Sequence, residues 1–444
     1  MAETDTDAAD QFDARISSEK LDERLPGLWQ RYSRLPRNVF AISLVSFLND
    51  ASSEIIYPVL PLFLALTLGD SVLAIGLTAT VVGRIEGAAE SVSGLLKLFA
   101  GYFSDRHGRR KGLVVFGYAL AGLARPLLAF ATSWPQVLFI RLTDRVGKGI
   151  RSAPRDAMIA DAVSVEERGL AFGFHRALDH AGAVVGPLLG LLVLLIFATD
   201  INQPQRSDYS KLFLAASIPA LCSVLIAVFF VRETARPERK GASLLEKPRL
   251  SLRGFDGNFK RFLAIVALFT LSNSSDAFLL LRVRETGGGI VTTLLIWASL
   301  HTVKVLSSLI GGDLSDRLGR KRLIASGWLL YAAVYAGFAF LNSMAMAWTL
   351  FLIYGIYFGL AEGAEKALVA DLVRSDQHGT AYGLYNLAIS IAVFPASLLL
   401  GVIWKLRGAE MAFLVSAGIG AIAALLLLMT IKADRERSAA VSPA

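Results

Sequence analysis

The stretch GYFSDRHGRRK at residues 101–111 returns 211 residues later as GDLSDRLGRKR at 312–322, with six of eleven positions identical. Gly101 meets Gly312, Asp105 meets Asp316, Arg106 meets Arg317, Gly108 meets Gly319 and Arg109 meets Arg320, while Arg110 meets another basic residue, Lys321. Farther along, at a shift of 210, Ala171–Gly173 (AFG) meets Ala381–Gly383 (AYG) and Asp161 meets Asp371. A duplication of this length predicts two structural halves in parallel repeat, the plan of transporters whose binding site lies midway at the repeat interface.

Composition says what the halves are made of. Hydrophobic residues are 54% of the 444, charged residues 18%, and mean hydropathy is +0.53, against about 25% charged in an ordinary soluble domain. A helix needs roughly 20 apolar residues to cross a bilayer. Twelve such runs stand between polar breaks, at about 38–66, 74–104, 112–132, 136–160, 168–197, 211–231, 260–282, 289–314, 322–341, 345–371, 380–404 and 409–431. The expected fold is therefore all-α and integral to a membrane, with twelve transmembrane helices in two six-helix pseudo-repeat bundles. Residues 1–37 form an N-terminal tail, 38–231 the first bundle, 232–259 a linker, 260–432 the second bundle and 433–444 a C-terminal tail. The acidic start, with Glu3, Asp5, Asp7, Asp10 and Asp13, lacks the basic region and cleavage site of a signal peptide.

Net charge is +8, but its placement argues against a nucleic-acid binder. Basic residues crowd the loops after the second, sixth and eighth runs, nine of them between Arg232 and Arg261, whereas alternate loops such as ATSWP and LNSM carry none. The positive-inside rule then puts both termini in the cytoplasm and the chain in the inner, cytoplasmic membrane. The single cysteine, Cys222, excludes a disulfide and a thiolate metal cage. No metal site, cofactor or catalytic constellation is expected, and the chain reads as no enzyme.

Charges inside the apolar runs are the functional candidates, because an ion at bilayer depth costs ~2.5–3.5 kcal/mol on insertion scales and persists where it faces a partner or water. Within RLTDRVGKGIRSAPRDAMIAD, residues 141–161, Arg141, Arg145, Lys148, Arg151 and Arg155 step by four, three, three and four, one stripe of a helix with 3.6 residues per turn. Asp144 interrupts it. Asp50 and Glu54 sit one turn apart in the first run, and Glu86 and Glu90 repeat that spacing in the second. Two dehydrated carboxylates this close cannot both stay ionised cheaply unless a cation is adjacent. Asp50, Glu54, Glu86, Glu90, Arg141, Asp144, Arg145 and Lys148 are thus the expected proton-coupling set. Arg151, Arg155, Asp276, His301, Lys304 and Glu362 are the expected substrate contacts. Arg155-Asp156 corresponds to Glu365-Lys366 at the shift of 210, so their signs reverse and opposite charges are expected to face each other between the halves.

The repeated loop, with Gly101, Asp105, Arg106, Gly108, Arg109 and Arg110, resembles the signature that the major facilitator superfamily carries between its second and third helices, and Gly312, Asp316, Arg317, Gly319 and Arg320 resemble its second copy. Arg141 with Gly147 resembles the fourth-helix arginine motif, with Asp144 and Arg145 where that motif has Gln-Gly. Gly182, Gly186, Pro187 and Gly190 are similar to the glycine-proline motif of the family's proton-driven exporters, lacking only its last glycine, where Leu191 stands. The resemblance covers about residues 38–432. It implies a monomeric, multi-pass secondary transporter working by alternating access, with the loops and the fifth-run glycines as gating elements and with small-molecule substrate, protons and lipid as its partners.

The leading expectation is proton entry coupled to export of a small organic solute. The alternative is an organic anion, of carboxylate or phosphate type, received by the arginine and lysine stripe in either direction. A membrane receptor that moves nothing is the remote third.

Overall fold

The computed structural model describes residues 28–60, 63, 92–200, 204–233, 252–273, 276, 278, 279, 282, 283, 286 and 290–431. The described residues up to Leu35 belong to a unit of their own. It contains the short helix α1, Leu28–Ser33, in which the Trp29 and Tyr32 rings lie 6.3 Å apart.

The body from Pro36 onward is built of helices: α2 (Arg37–Ile56), α3 (92–107), α4 (Lys111–Ala124), α5 (Trp134–Ala162), α6 (Arg168–Phe197), α7 (Arg206–Ala215), α8 (Ser217–Phe229), α9 (Gly257–Ser272), α10 (Ile290–Leu318), α11 (Arg320–Ala339), α12 (Met344–Asp371) and α13 (His378–Thr430). The helix ends follow local chemistry. Pro36 and Pro135 stand at helix starts, where a missing N–H costs nothing. Ser343 accepts a hydrogen bond from Met346 N and so caps α12. Gly108 and Gly319 take φ of 69° and 92°, which lets α3 and α10 end and the next helix begin within three residues. Gly408, at φ 86°, breaks α13 into two spans.

Among the described residues, nine helical stretches are long and apolar enough to cross a membrane. The stripe helix α5 is excluded from that number by its charges, not by its 29-residue length. The outer surface is apolar: Phe139, Phe229 and Met429 are 70%, 73% and 81% exposed. Such a surface suits acyl chains rather than water. Among the described residues every element is helical, and the fold is that of a multi-pass membrane protein in two pseudo-repeated bundles.

In the first bundle α6 packs on α2 and α4 on α5, and in the second α9 and α11 pack on α13 and α10 on α12. The halves meet along α6 with α10 and along α3 with α13. Glycine makes the closest approaches possible. A Cβ at Gly101 would stand 2.0 Å from Gly379 O, and one at Gly186 would stand 2.6 Å from Ala51 O and 2.7 Å from Glu54 Cβ. The glycine face of α6 therefore lies against the helix that carries Asp50 and Glu54.

The second bundle has an aromatic core. Phe269 stacks on Trp328 at 4.2 Å, and Tyr331 lies 4.2 Å from Tyr335. Its polar tips are satisfied: Trp328 Nε1 and Tyr385 OH both donate to Glu365, at 2.8 and 2.6 Å. A carboxylate so held is placed as part of the packing.

Replacing Gly186 by valine should separate α6 from α2, lower the midpoint of thermal unfolding by several degrees and abolish transport. Overpacking of a close helix contact costs ~1–3 kcal/mol. A variant unfolding with the wild type would show that the contact does not constrain the bundle.

Candidate functional site

Asp50 and Glu54 project from α2 into a polar cavity of about 100 Å³ in the first bundle. Facing them from α5 are Arg141, Arg145, Lys148 and Arg151, with Asp144 among them. Four of the five stripe cations thus share one cavity with the acid pair of the first span. Arg155, one turn further, turns to Ser46 and Asp156. Glu86 and Glu90 lie outside the described residues.

Arg125 was missing from the expected set. It is the one charge in GYALAGLARPLLAF, residues 117–130, placed where Pro126 turns the end of α4 into a 3₁₀ segment. Its guanidinium donates to Asn49 O and Asn49 Oδ1, each at 2.9 Å, and to Asp144 Oδ1 at 3.2 Å. Asn49 in turn donates to Asp50 Oδ1 at 2.9 Å. A lone arginine at bilayer depth is itself a flag of function, and this one ties α2, α4 and α5 together. Arg141 approaches the other oxygen of Asp144 at 3.5 Å. Asp144 is thereby engaged on both sides.

Arg151 is held differently. It is only 4% exposed, and its guanidinium lies 4.4 Å above the Tyr118 ring, a cation–π contact. Tyr118 OH is hydrogen-bonded to Ser46 at 3.0 Å, and Ser46 accepts from Arg155 at 2.9 Å. Among the described residues, neither Nε nor Nη1 of Arg151 has a hydrogen-bond acceptor.

Asp156, fully buried, joins the halves. One oxygen accepts from Arg155 at 3.0 and 3.1 Å, and the other pairs with Lys366 of α12. Of the two opposite-charge pairings expected between the halves, this one forms. Glu365 instead belongs to Trp328 and Tyr385.

At the end of the body that carries the repeated loops, two contacts mirror each other. Asp105 accepts from the backbone N–H of Gly379 at 3.0 Å and of Thr380 at 2.6 Å, at the N-terminus of α13. Asp316 accepts from Gly169 at 2.9 Å and Leu170 at 2.7 Å, at the N-terminus of α6. Each half thus supplies an acid to the positive end of a helix in the other. Arg110 pairs with Asp105 at 3.1 Å and with Asp161, which also meets His378. In the second copy Arg320 pairs with Asp316 at 3.2 Å and Asp371 at 2.9 Å, and Arg168 joins Asp371 at 2.7 Å. The registers differ by one residue: Arg320 aligns with Arg109, yet Arg109 is exposed and Arg110, 2% exposed, is the buried partner. Arg106 and Arg317 lie on the exposed side of their loops.

The remaining candidates gather where α6 meets the second bundle. His180 lies 3.0 Å from Glu362, and its ring is 5.8 Å from that of His301. Asp179 pairs with Arg176 at 3.1 Å and lies 3.7 Å from His175. Asp276 accepts from Tyr354 OH at 2.8 Å. The buried ammonium of Lys304 rests 3.4 Å from the centre of the Phe358 ring.

Comparison with known proteins bears on the family and the fold. A family model described as Major Facilitator Superfamily matches residues 42–396 and 262–444. The chain is 35% identical over 400 residues to an uncharacterized MFS-type transporter of Methanocaldococcus jannaschii, covering 89% of this chain and 95% of that one. It is 25% identical to a Lactococcus lactis multi-drug resistance efflux pump PmrA homolog, over 77% of this chain and 81% of the relative. Among solved structures, the human organic anion transporter MFSD10 superposes with a TM-score of 0.74 at 17% identity, over 88% of this chain and 99% of the other.

Two variants test the contacts between the halves. Asp105→Asn, which keeps an acceptor but removes the charge facing the α13 terminus and Arg110, should slow transport while leaving solute affinity within about twofold, a loss of ~0.4 kcal/mol or less. Equal loss of both would contradict a gating role. Asp156→Lys and Lys366→Asp should each abolish transport, since breaking a buried pair costs ~3–5 kcal/mol, and the double reversal should recover it. A double variant as inactive as the singles would show that the pair is not acting as a unit.

Proposed function

The chain belongs to the Major Facilitator Superfamily, and on that footing we propose that it moves a small organic solute by alternating access and that protons are carried through it on Asp50 and Glu54. The observation that carries the reading is the shared cavity of these two acids with Arg141, Arg145, Lys148 and Arg151. In a low-dielectric cavity a carboxylate changes charge at much larger energetic consequence than in water. Protonation of Asp50 or Glu54 releases its hold on the α5 cations, and deprotonation restores it. Since α5 also bears Asp156 and α2 lies against the glycine face of α6, a change of charge in the cavity acts on helices that touch the second bundle. The repeated loops, taken as cytoplasmic from their charge, then open and close that side of the transporter.

Each tenfold proton ratio supplies ~1.4 kcal/mol for this cycle. Direction follows from the sign of the coupling. A solute that binds with the carboxylates ionised exchanges for protons and leaves the cell on an inward proton gradient. Export of this kind is supported by the glycine-proline element of α6 and by the likeness to the Lactococcus efflux pump homolog. A solute that binds with the carboxylates protonated travels with the protons instead.

Solute-induced proton movement in proteoliposomes tests the coupling. Asp50→Asn and Glu54→Gln should each reduce the proton signal by roughly tenfold or more, as expected for removal of a proton-transfer group, while solute binding persists. A solute flux indifferent to external pH and to a protonophore would remove proton coupling from the account.

A further inference from the structure

The geometry points to Arg151 as the seat for an anionic group of the transported solute, a carboxylate or a phosphate. This rests on the transport reading above and adds to it the class of solute.

Two donors of Arg151 have no acceptor among the described residues. Arg151 is 4% exposed and lines the polar cavity, and its Nε and Nη1, both buried, have no hydrogen-bond partner among the described residues. A buried donor left unmatched is costly, and more so when it is charged. Among the described residues no nearby acid hydrogen-bonds to these two donors. Asp144 is taken by Arg125 and Arg141, Asp156 by Arg155 and Lys366, and on α6 Asp179 is taken by Arg176 beside His175. Asp50 accepts from Asn49. Arg145 and Lys148 have interactions of their own, so the assignment falls on Arg151 and not on the stripe as a whole.

The second observation is the sign of the cavity. Among the described residues its lining holds five cations, Arg125, Arg141, Arg145, Lys148 and Arg151, against three acids, Asp50, Glu54 and Asp144, a formal excess of two positive charges. A third is rigidity. The Tyr118 ring under the guanidinium fixes its plane, and Tyr118 is itself anchored through Ser46 to Arg155. A planar fork held in one orientation is what bidentate recognition of carboxylate or phosphate requires, whereas an organic cation would meet a cavity of its own sign.

The coupling mode follows. Protonating Asp50 or Glu54 increases the positive excess and favours the anion, and by reciprocity the bound anion favours the proton. Solute and proton then occupy the same state and move in the same direction, the second of the two coupling signs given above, so for an anionic solute an inward proton gradient drives uptake and not export.

Thermal unfolding of the purified full-length protein with benzoate, inorganic phosphate or tetraphenylphosphonium, at mildly acidic and mildly alkaline pH, tests the assignment. Benzoate or phosphate should raise the unfolding midpoint in a concentration-dependent way, and more at acidic pH, while the organic cation should not. Arg151→Gln should weaken anion binding about tenfold or more, with Arg151→Lys intermediate. Should Arg151→Gln fail to fold, the Asp50→Asn, Glu54→Gln double variant carries the test: it should bind the anion at least as tightly as the wild type and lose the pH dependence. Protection by the cation but not the anions, or wild-type anion affinity in a folded Arg151→Gln, would overturn the assignment. Anion binding that needs Arg151 but ignores pH would support the seat and overturn proton coupling. A cation that drives proton flux would overturn the seat and leave coupling standing.

Discussion

A charge buried in a membrane-spanning bundle must be matched, and that constraint organises this molecule. Arg125 shows how strictly it operates: one guanidinium satisfies a backbone carbonyl, an amide and a carboxylate from two other helices. Because the match is made between helices and not within one, every pairing is also a statement about where the helices stand. Shifting α2 against α5 breaks the Arg125 bonds, and shifting the halves breaks Asp156 from Lys366. Charge state and helix position are therefore tied, which is the physical prerequisite for any ion-coupled transporter.

The same economy appears at the loop end. Asp105 and Asp316 each sit on the N-terminus of a helix in the opposite half, reinforced by an arginine and a second acid. An aspartate is short enough to reach two consecutive backbone N–H groups, and the helix dipole favours its charge. A contact of this kind is strong only while the two ends stay together, which is what the proposed gating role asks of it. The duplicated sequence explains why there are two. It also shows where they differ: Arg168 of one corresponds to His378 of the other at the shift of 210.

Much of the architecture was legible in the sequence because it depends on patterns local to the chain. Apolar run lengths gave the membrane class, the loop at 101–111 and its copy gave the two halves, and α5 could be singled out by its 4-3-3-4 spacing. What could not be read was convergence. Asp105 sits in the last turn of α3, from which its carboxylate can reach another helix end, but the end it meets is 274 residues away, and nothing along the chain says which. Arg125 escaped notice because its significance lies in Asn49 and Asp144, on other helices. Arg109 and Arg110 are chemically alike, and only packing decides that the second is buried. The Arg151 donors are likewise invisible in one dimension, since being unmatched is a property of the surroundings.

The central claim is that the acids of α2 and the cations of α5 respond to one another through a single cavity. Proton exchange on ligand binding tests it most directly: the purified protein, in weakly buffered solution near neutral pH, is mixed with a saturating organic anion and the pH change is recorded. Net proton uptake, absent in the Asp50→Asn, Glu54→Gln double variant, is the result the account predicts. Anion binding with no proton exchanged, or uptake undiminished in that variant, would contradict it.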